Sequence, residues 1–91
     1  MAQAYLPRTL ISLFPGMPGR VRVEAASVSE LIERLDRDWP GVRFRLCDAG
    51  PVIREHINIF VDGESIRDAG GLTTRVREGA EIFILPALSG G

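Results

Sequence analysis

The sequence contains no lysine, one cysteine and one histidine among its 91 residues. Because Cys47 has no second cysteine to pair with, we expect no internal disulfide and a reducing cytoplasm as the location. His56 has no cysteine or histidine at ligand spacing, so a metal site is not expected and a surface or strand-capping role is favoured. Without a lysine ε-amine, the chain cannot form an isopeptide bond with itself.

Long apolar runs and a strong charge are also missing. No stretch approaches the roughly 18 residues of a membrane span, and no basic-then-apolar signal peptide opens the chain. The eleven basic residues, all arginine, are interspersed with twelve acidic ones, which gives a net charge of −1. A nucleic-acid surface needs a basic stripe. The sequence therefore predicts no membrane and no nucleic acid among the partners.

The 45% hydrophobic content is enough for one core. Residues 2–6 and 20–24 alternate apolar and polar side chains, and a proline- and glycine-rich turn at 15–19 separates them, so an opening hairpin is predicted. Residues 9–14 are apolar but ambiguous. We expect a single domain over residues 1–86 and a flexible tail over residues 87–91.

One helix is clearly signalled. Ser27 and Glu30 form the S-x-x-E pattern of a capping box, and Pro40 disfavours helical geometry at Trp39, where the helix should end. The stripe at i, i+3, i+4 and i+7 that should face the core consists of Val28, Leu31, Ile32 and Leu35. Residues 42–46 alternate like a strand, yet a single helical turn fits equally well.

The second half of the chain reads mainly as strands. Residues 57–61 form the strongest strand pattern, and Asp62-Gly63 is a hairpin-type turn leading to a short returning strand at 64–67. A loop with a helical turn at 73–76 would precede the last strand, residues 81–85. One helix on a mixed sheet of four to five strands is an α+β fold. If the first and last strands pair in parallel at the centre, the arrangement is a β-grasp.

The last eleven residues combine an alternating strand, a proline stop, a short apolar tail and a terminal Gly-Gly. Proline ends the ladder, and the six residues beyond Leu85 reach roughly 20 Å at ~3.3–3.6 Å each. Glycines 90 and 91 lack a Cβ and can pass a narrow slot. These features make the Gly91 α-carboxylate the candidate reactive group, although terminal glycines also occur incidentally.

The carboxy-terminal third resembles the ubiquitin-like sulfur carrier proteins of the MoaD/ThiS type. The matching features are the Asn-Ile-Phe-Val strand at 58–61, the Gly-Gly-Leu loop at 70–72 and the Leu-Pro-Ala-Leu-Ser-Gly-Gly end. The family includes the small subunit of molybdopterin synthase, the thiazole carrier and the cysteine-biosynthesis carrier, and the resemblance is strongest to the last. It extends over nearly the whole chain in element order.

The resemblance implies a chemistry that needs no catalytic side chain in this protein. An ATP-dependent adenylyltransferase/sulfurtransferase of the ubiquitin-activating type would adenylate Gly91, and a sulfur donor would convert it to a thiocarboxylate for a sulfur-accepting synthase. ATP would be consumed by the partner, and no cofactor would be bound here. The tail residues expected to enter the partner are Ala87, Leu88, Ser89, Gly90 and Gly91. The pathway would be cysteine synthesis first, with molybdopterin or a secondary metabolite as alternatives.

Strand alternation predicts a second contact surface. If the isoleucines and valines of each strand face the helix, Tyr5, Phe60, Phe83 and Leu85 share the opposite face of the sheet. An exposed apolar patch of this kind is typical of a partner site. The alternative is that residues 8–19 or 41–55 fold across it.

Two other functions compete with the sulfur carrier. A ubiquitin-like modifier would use the same tail and activation but would end on a lysine of another protein. A plain β-grasp interaction module would carry an incidental Gly-Gly and would support no ATP–pyrophosphate exchange.

Overall fold

Five strands form one mixed sheet in the order β2–β1–β5–β3–β4. The computed structural model describes residues 1–50 and 52–86. The strands are β1 (Ala2–Tyr5), β2 (Arg20–Val23), β3 (Ile57–Val61), β4 (Glu64–Ser65) and β5 (Glu81–Pro86). The helices are α1 (Arg8–Ile11), α2 (Val28–Asp38), α3 (Val42–Leu46) and α4 (Ile66–Ala69), with a 3₁₀ turn at Gly71–Thr73. None of these helices is long and apolar enough to cross a membrane.

The centre of the sheet is a parallel pair formed by the first and last strands. Strand β1 pairs with β5 in parallel, with Ala4 opposite Ile82, and with β2 in antiparallel orientation. Strand β5 pairs with β3 in antiparallel orientation, with residues 82–86 opposite the whole of β3. This order confirms the α+β prediction, the opening hairpin and the β-grasp arrangement.

Helix α2 begins and ends where the sequence predicts. The Ser27 Oγ accepts a hydrogen bond from the Glu30 N–H at 3.1 Å. The Glu30 carboxylate accepts one from the Ala26 N–H at 3.0 Å, one residue earlier than in the usual capping box. The helix ends at Trp39, before Pro40, and Trp39 packs against the core without being fully buried.

The core lies between α2 and one face of the sheet. Every side chain assigned to that face by strand alternation is buried, and so are the four members of the helix stripe. On the strands these residues are Ala4, Ile57, Ile59, Val61, Ile82 and Ile84, joined by Leu6 just beyond β1. On β2, where alternation places both valines on the core side, Val23 is buried and Val21 is only partly buried.

The sequence pattern predicts the short elements less well than the long ones. Residues 42–46 take the helical alternative. The predicted returning strand at 64–67 is wrong beyond Ser65, because the Ser65 side chain accepts from the Arg67 N–H at 3.3 Å and starts α4. The helical turn predicted at 73–76 is also wrong. The turn lies at Gly71–Thr73, and Arg75 instead forms a β-bridge with Ser27.

The β3–β4 turn has the backbone that its sequence predicts. Asp62 has φ 49° and Gly63 has φ 88°, the positive values that a type I′ hairpin requires. The Asp62 side chain accepts from the Glu81 N–H at 2.9 Å, and the Asp62 N–H donates to the Glu81 carbonyl at 2.9 Å. These two bonds fix the turn to the start of β5.

Candidate functional site

Strand β5 fixes the point at which the tail begins. It lies between β1 and β3, and its last residue, Pro86, stands opposite Ile57 at the start of β3. Pro86 forms the last pair of this ladder within the described residues, and its missing N–H is expected to end the pairing. The predicted reactive and slot-entering residues, Ala87, Leu88, Ser89, Gly90 and Gly91, lie outside the described residues, as does the expected disorder of this segment.

The face of the sheet away from α2 carries a row of aromatic side chains. Phe83 lies laterally between Tyr5 on β1 and Phe60 on β3. The rings of Tyr5 and Phe83 are stacked, with centroids 4.4 Å apart and planes 7° from parallel. The Tyr5 hydroxyl donates to the Glu81 carboxylate at 3.0 Å, which holds the phenol ring in place. The geometric prediction for these side chains is confirmed.

This outer face, defined by Tyr5, Phe60, Phe83 and Leu85, is open within the described part of the chain. Phe83 is 38% exposed and Leu85 is 41% exposed. The segments that could have covered the face instead contribute Leu10 and Leu46 to the core. The alternative in which residues 8–19 or 41–55 bury the outer face is therefore wrong.

An arginine that sequence reasoning missed borders the outer face. The Arg67 guanidinium donates to the Asn58 Oδ1 at 3.2 Å and to the carbonyls of Arg54 and Ile57 at 2.9 and 2.7 Å. Asn58 is the register partner of Leu85. Arg67 thus links α4 to the start of β3. It also orients the Asn58 amide, which lies beside Leu85 on the outer face. No spacing in the sequence signals this contact.

A cavity of about 280 Å³ opens beside Pro86, at the root of the tail. It is lined by Pro7, Thr9, Leu10, Leu13, Arg45, His56, Ile57 and Pro86. The described part of its wall is mainly apolar and includes the Arg45 guanidinium and the His56 imidazole. The sequence did not predict this tail-root cavity, because it joins α1, α3 and two strand ends that are distant in the chain.

Cys47 and His56 do not form a catalytic or metal centre with each other. Cys47 is a core residue with 1% exposure, whereas His56 is exposed. Burial raises the pKa of the Cys47 thiol, and Asp48 adds to the increase while Arg43 and Arg54 oppose it. Over residues 1–50 and 52–86, no group of three His, Cys, Asp or Glu side chains could hold a metal ion.

Comparisons with known proteins agree with this geometry. Residues 18–91 match the sequence model of the ThiS family. The sulfur carrier protein CysO of Mycobacterium tuberculosis is 34% identical over 83 residues, which are 87% of this chain and 89% of that protein. A chain in the crystal structure of the Amycolatopsis orientalis BexX/CysO complex superposes with a TM-score of 0.89 at 30% identity, and both chains are covered completely.

A third similarity connects the fold to protein modifiers. The solution structure of small archaeal modifier protein 1 from Methanosarcina acetivorans has a TM-score of 0.81 at 25% identity, covering 99% of this chain and 95% of that one. The proteins named as sulfur carriers are small carriers rather than enzymes, and this chain shares their fold over its full length. The chain belongs to the ThiS family of ubiquitin-like sulfur carrier proteins.

Proposed function

We propose that this protein carries sulfur as a thiocarboxylate on the α-carboxyl group of Gly91. The observation that supports this most strongly is the family match, which runs through residue 91 and so includes Gly90 and Gly91. The position of Pro86 at the end of the central strand supports it further, since the tail starts at the rim of the sheet. Cytoplasmic location is part of the proposal.

The chemistry takes place on the chain end. The Gly91 carboxylate attacks the α-phosphorus of ATP in the partner enzyme and displaces pyrophosphate, which gives an acyl adenylate. Hydrosulfide displaces AMP directly, or a donor persulfide displaces AMP and a thiol then reduces the acyl disulfide. Either route leaves the thiocarboxylate. No side chain of the carrier exchanges a proton or an electron pair, which is consistent with the buried position of Cys47.

The outer face is the proposed docking surface for the activating enzyme. Aromatic side chains are enriched among residues that dominate binding energy, and Phe83 lies on the same strand as the root of the tail. A partner seated on the outer face would have the tail within reach of its active site. The sulfur-accepting synthase is proposed as a second, later partner, and the cysteine pathway follows from the resemblance of the carboxy-terminal third.

Intact mass spectrometry tests the chemistry. After incubation with ATP, Mg²⁺, the activating enzyme and a sulfide source, the carrier mass should rise by the difference between sulfur and oxygen. Deleting Gly91, or changing Gly90 to Leu, should abolish the change because the acceptor is lost or the slot is blocked. Arg37→Ala, on the exposed side of α2, is the matched control and should react normally. A mass shift in the Gly91 deletion would refute the proposal.

The modifier function is the second candidate, and the similarity to small archaeal modifier protein 1 favours it. The two functions share activation and differ in the acceptor. Adducts of the carrier with lysines of other proteins, detected by mass spectrometry in cell extract, would indicate conjugation. A thiocarboxylate without such adducts would indicate sulfur transfer alone.

A further inference from the structure

One edge of the sheet carries two arginines beside the outer face. Strand β2 lies at the end of the sheet, next to β1, and its register places Arg20 opposite Tyr5 and Arg22 opposite Gln3. Both arginines are exposed, and the residues that alternate with them lie on the core side. Arg20 and Arg22, which we call the arginine edge, therefore lie on the same side of the sheet as Tyr5.

The arginine edge is continuous with the aromatic row. The side chains of one line across four neighbouring strands, each the register partner of the next, are Arg20, Tyr5, Phe83 and Phe60. Because adjacent strands are about 4.8 Å apart, the Arg20 backbone lies roughly 10 Å from the Phe83 backbone, two strands away. A protein that covers the Phe83 ring therefore also reaches the arginine edge.

No carboxylate of the described part of the chain is paired with the arginine edge. Neither Arg20 nor Arg22 forms a salt bridge there. Glu81 is the one acidic strand residue that alternates onto this side, and its carboxylate accepts the Tyr5 hydroxyl. Glu24, just beyond β2, is exposed and forms no salt bridge with the two arginines. Each guanidinium can therefore bind a carboxylate of another molecule with two parallel hydrogen bonds.

The sign and position of these charges indicate more than protection of a sheet edge. Charged side chains on an edge strand hinder unwanted pairing with other strands, and charge of either sign serves that purpose. Here both charges are positive although the chain has a net charge of −1, and both adjoin an exposed aromatic row. This arrangement is complementary to an apolar surface with an acidic border.

We propose that the arginine edge binds carboxylates on the surface of the activating enzyme and accelerates its association with the carrier. The inference rests on the proposed function in taking the outer face as the docking surface. The aromatic row forms the apolar centre of the interface, and Arg20 and Arg22 lie at its border. Charges at the border of an interface act mainly on the association rate and its salt dependence.

Stopped-flow binding without ATP tests the proposal. The native carrier is compared with Arg20→Glu/Arg22→Glu and with Arg34→Glu/Arg37→Glu, and each is mixed with the ATP-dependent enzyme of the ubiquitin-activating type from the same organism. Arg34 and Arg37 are exposed on α2, which packs against the other face of the sheet, so the second variant is a control of equal net charge.

The two double variants should differ in their association rates. The β2 variant should associate about ten-fold more slowly than the native carrier at about 50 mM NaCl, and screening should remove most of this difference at about 500 mM. The α2 variant should stay within about two-fold of native. Phe83→Ala should instead mainly raise the dissociation rate, since it removes a buried contact at the centre of the interface.

Several results would overturn the proposal. An unchanged rate for the β2 variant would do so, and so would equal slowing of both double variants, which indicates an effect of net charge alone. Aggregation of the β2 variant by light scattering, with a native association rate for its monomer, would reduce the arginine edge to edge protection. Arg20→Gln/Arg22→Gln should slow association in the same direction, and it replaces the charge reversal if that variant unfolds.

Other partners and a failure of the sulfur chemistry give different results. Anisotropy of a labelled single-stranded DNA that binds the native carrier but not the β2 variant would assign the arginine edge to nucleic acid and overturn the proposal. Rates that depend on Arg20 and Arg22 without any thiocarboxylate would refute only the chemistry at Gly91. A thiocarboxylate formed at rates independent of the two arginines, or no binding of the native carrier, would refute this inference, and the intact-mass assay decides the chemistry separately.

Discussion

The chemistry of Cys47 would suit sulfur transfer, but its buried position does not. A thiol is the obvious side chain for sulfur transfer, yet this one is buried at the end of α3, where its N–H donates to the Arg43 carbonyl at 2.8 Å. Its backbone also forms a β-bridge with Ile53. Free cysteines in such surroundings behave as small hydrophobic residues. The sequence likewise offers no histidine-acid pair near Cys47 that would activate the thiol as a nucleophile.

Changing Cys47 to Ala should leave sulfur transfer intact and lower the free energy of unfolding by about 1 kcal/mol. The sulfur is carried by the acyl group in the proposed mechanism, so the thiol contributes only packing. Thiocarboxylate formation by mass spectrometry and urea unfolding measure the two effects. Loss of transfer in a folded variant would point to a persulfide relay through Cys47.

The pH dependence of stability gives an independent check on the buried thiol. Burial raises the folded-state pKa, whereas the unfolded thiol titrates near its ordinary value of about 8.5. Between the two pKa values the folded state holds more protons than the unfolded state, so stability falls as the pH rises through this window. Urea unfolding of native and Cys47→Ala protein from pH 7 to 10 should show an extra decrease in the native protein only. Parallel curves would contradict a buried, neutral thiol.

The aromatic residues of the outer face show what alternation alone can establish. Once Ile82 and Ile84 are assigned to the core, Phe83 must point the other way, and the structure places it there beside Tyr5. Register, however, depends on which strands pair. The sequence could not show that Phe60 and Tyr5 flank the same ring without assuming a β-grasp order. Arg67 was missed because its three acceptors are fixed by tertiary structure.

At the scale of elements, local sequence signals were sufficient to predict where α2 begins and ends. Its cap, its stripe and its proline stop agree with one another, and the structure reproduces both ends. The shorter elements depend on single competing contacts. Residues 64–67 have strand-like composition, but Ser65 caps a helix and the register with β3 ends at Phe60–Ser65. For such short segments tertiary contacts determine whether a strand or a helix forms, because the intrinsic preference of two to four residues for either structure is too weak.

The start of α2 provides an element-scale prediction. Ser27→Ala should reduce the free energy of unfolding by about 1 kcal/mol, since the Glu30 N–H loses its side-chain acceptor. Ser29→Ala, within the first turn of the same helix, is the matched control and should change stability by no more than about 0.5 kcal/mol. Thermal or urea unfolding measures both. An equal loss in the two variants would show that Ser27 does not act as a cap.

At the scale of the whole molecule, topology brings the functional parts together. The parallel pairing of the first and last strands puts β5 at the centre of the sheet, and α2 packs on one face of it. One face is then used for folding and the other is available for binding. The sequence predicted this division through alternation. It could not predict the tail-root cavity, which exists only because α1 and α3 meet the end of the same sheet.

Neighbouring residues of β5 test this division of faces. Phe83→Ala should weaken binding to the activating enzyme by roughly 1–3 kcal/mol with little loss of stability, because its ring is exposed on the outer face. Ile84→Ala, one position along and fully buried, should instead lower the free energy of unfolding by about 2–5 kcal/mol. Calorimetric binding and urea unfolding of both variants separate the effects. Phe60→Ala should resemble Phe83→Ala, since the two rings are register partners. If Phe83→Ala destabilised the fold strongly and bound the enzyme with unchanged affinity, the outer face would be part of the core rather than a docking surface.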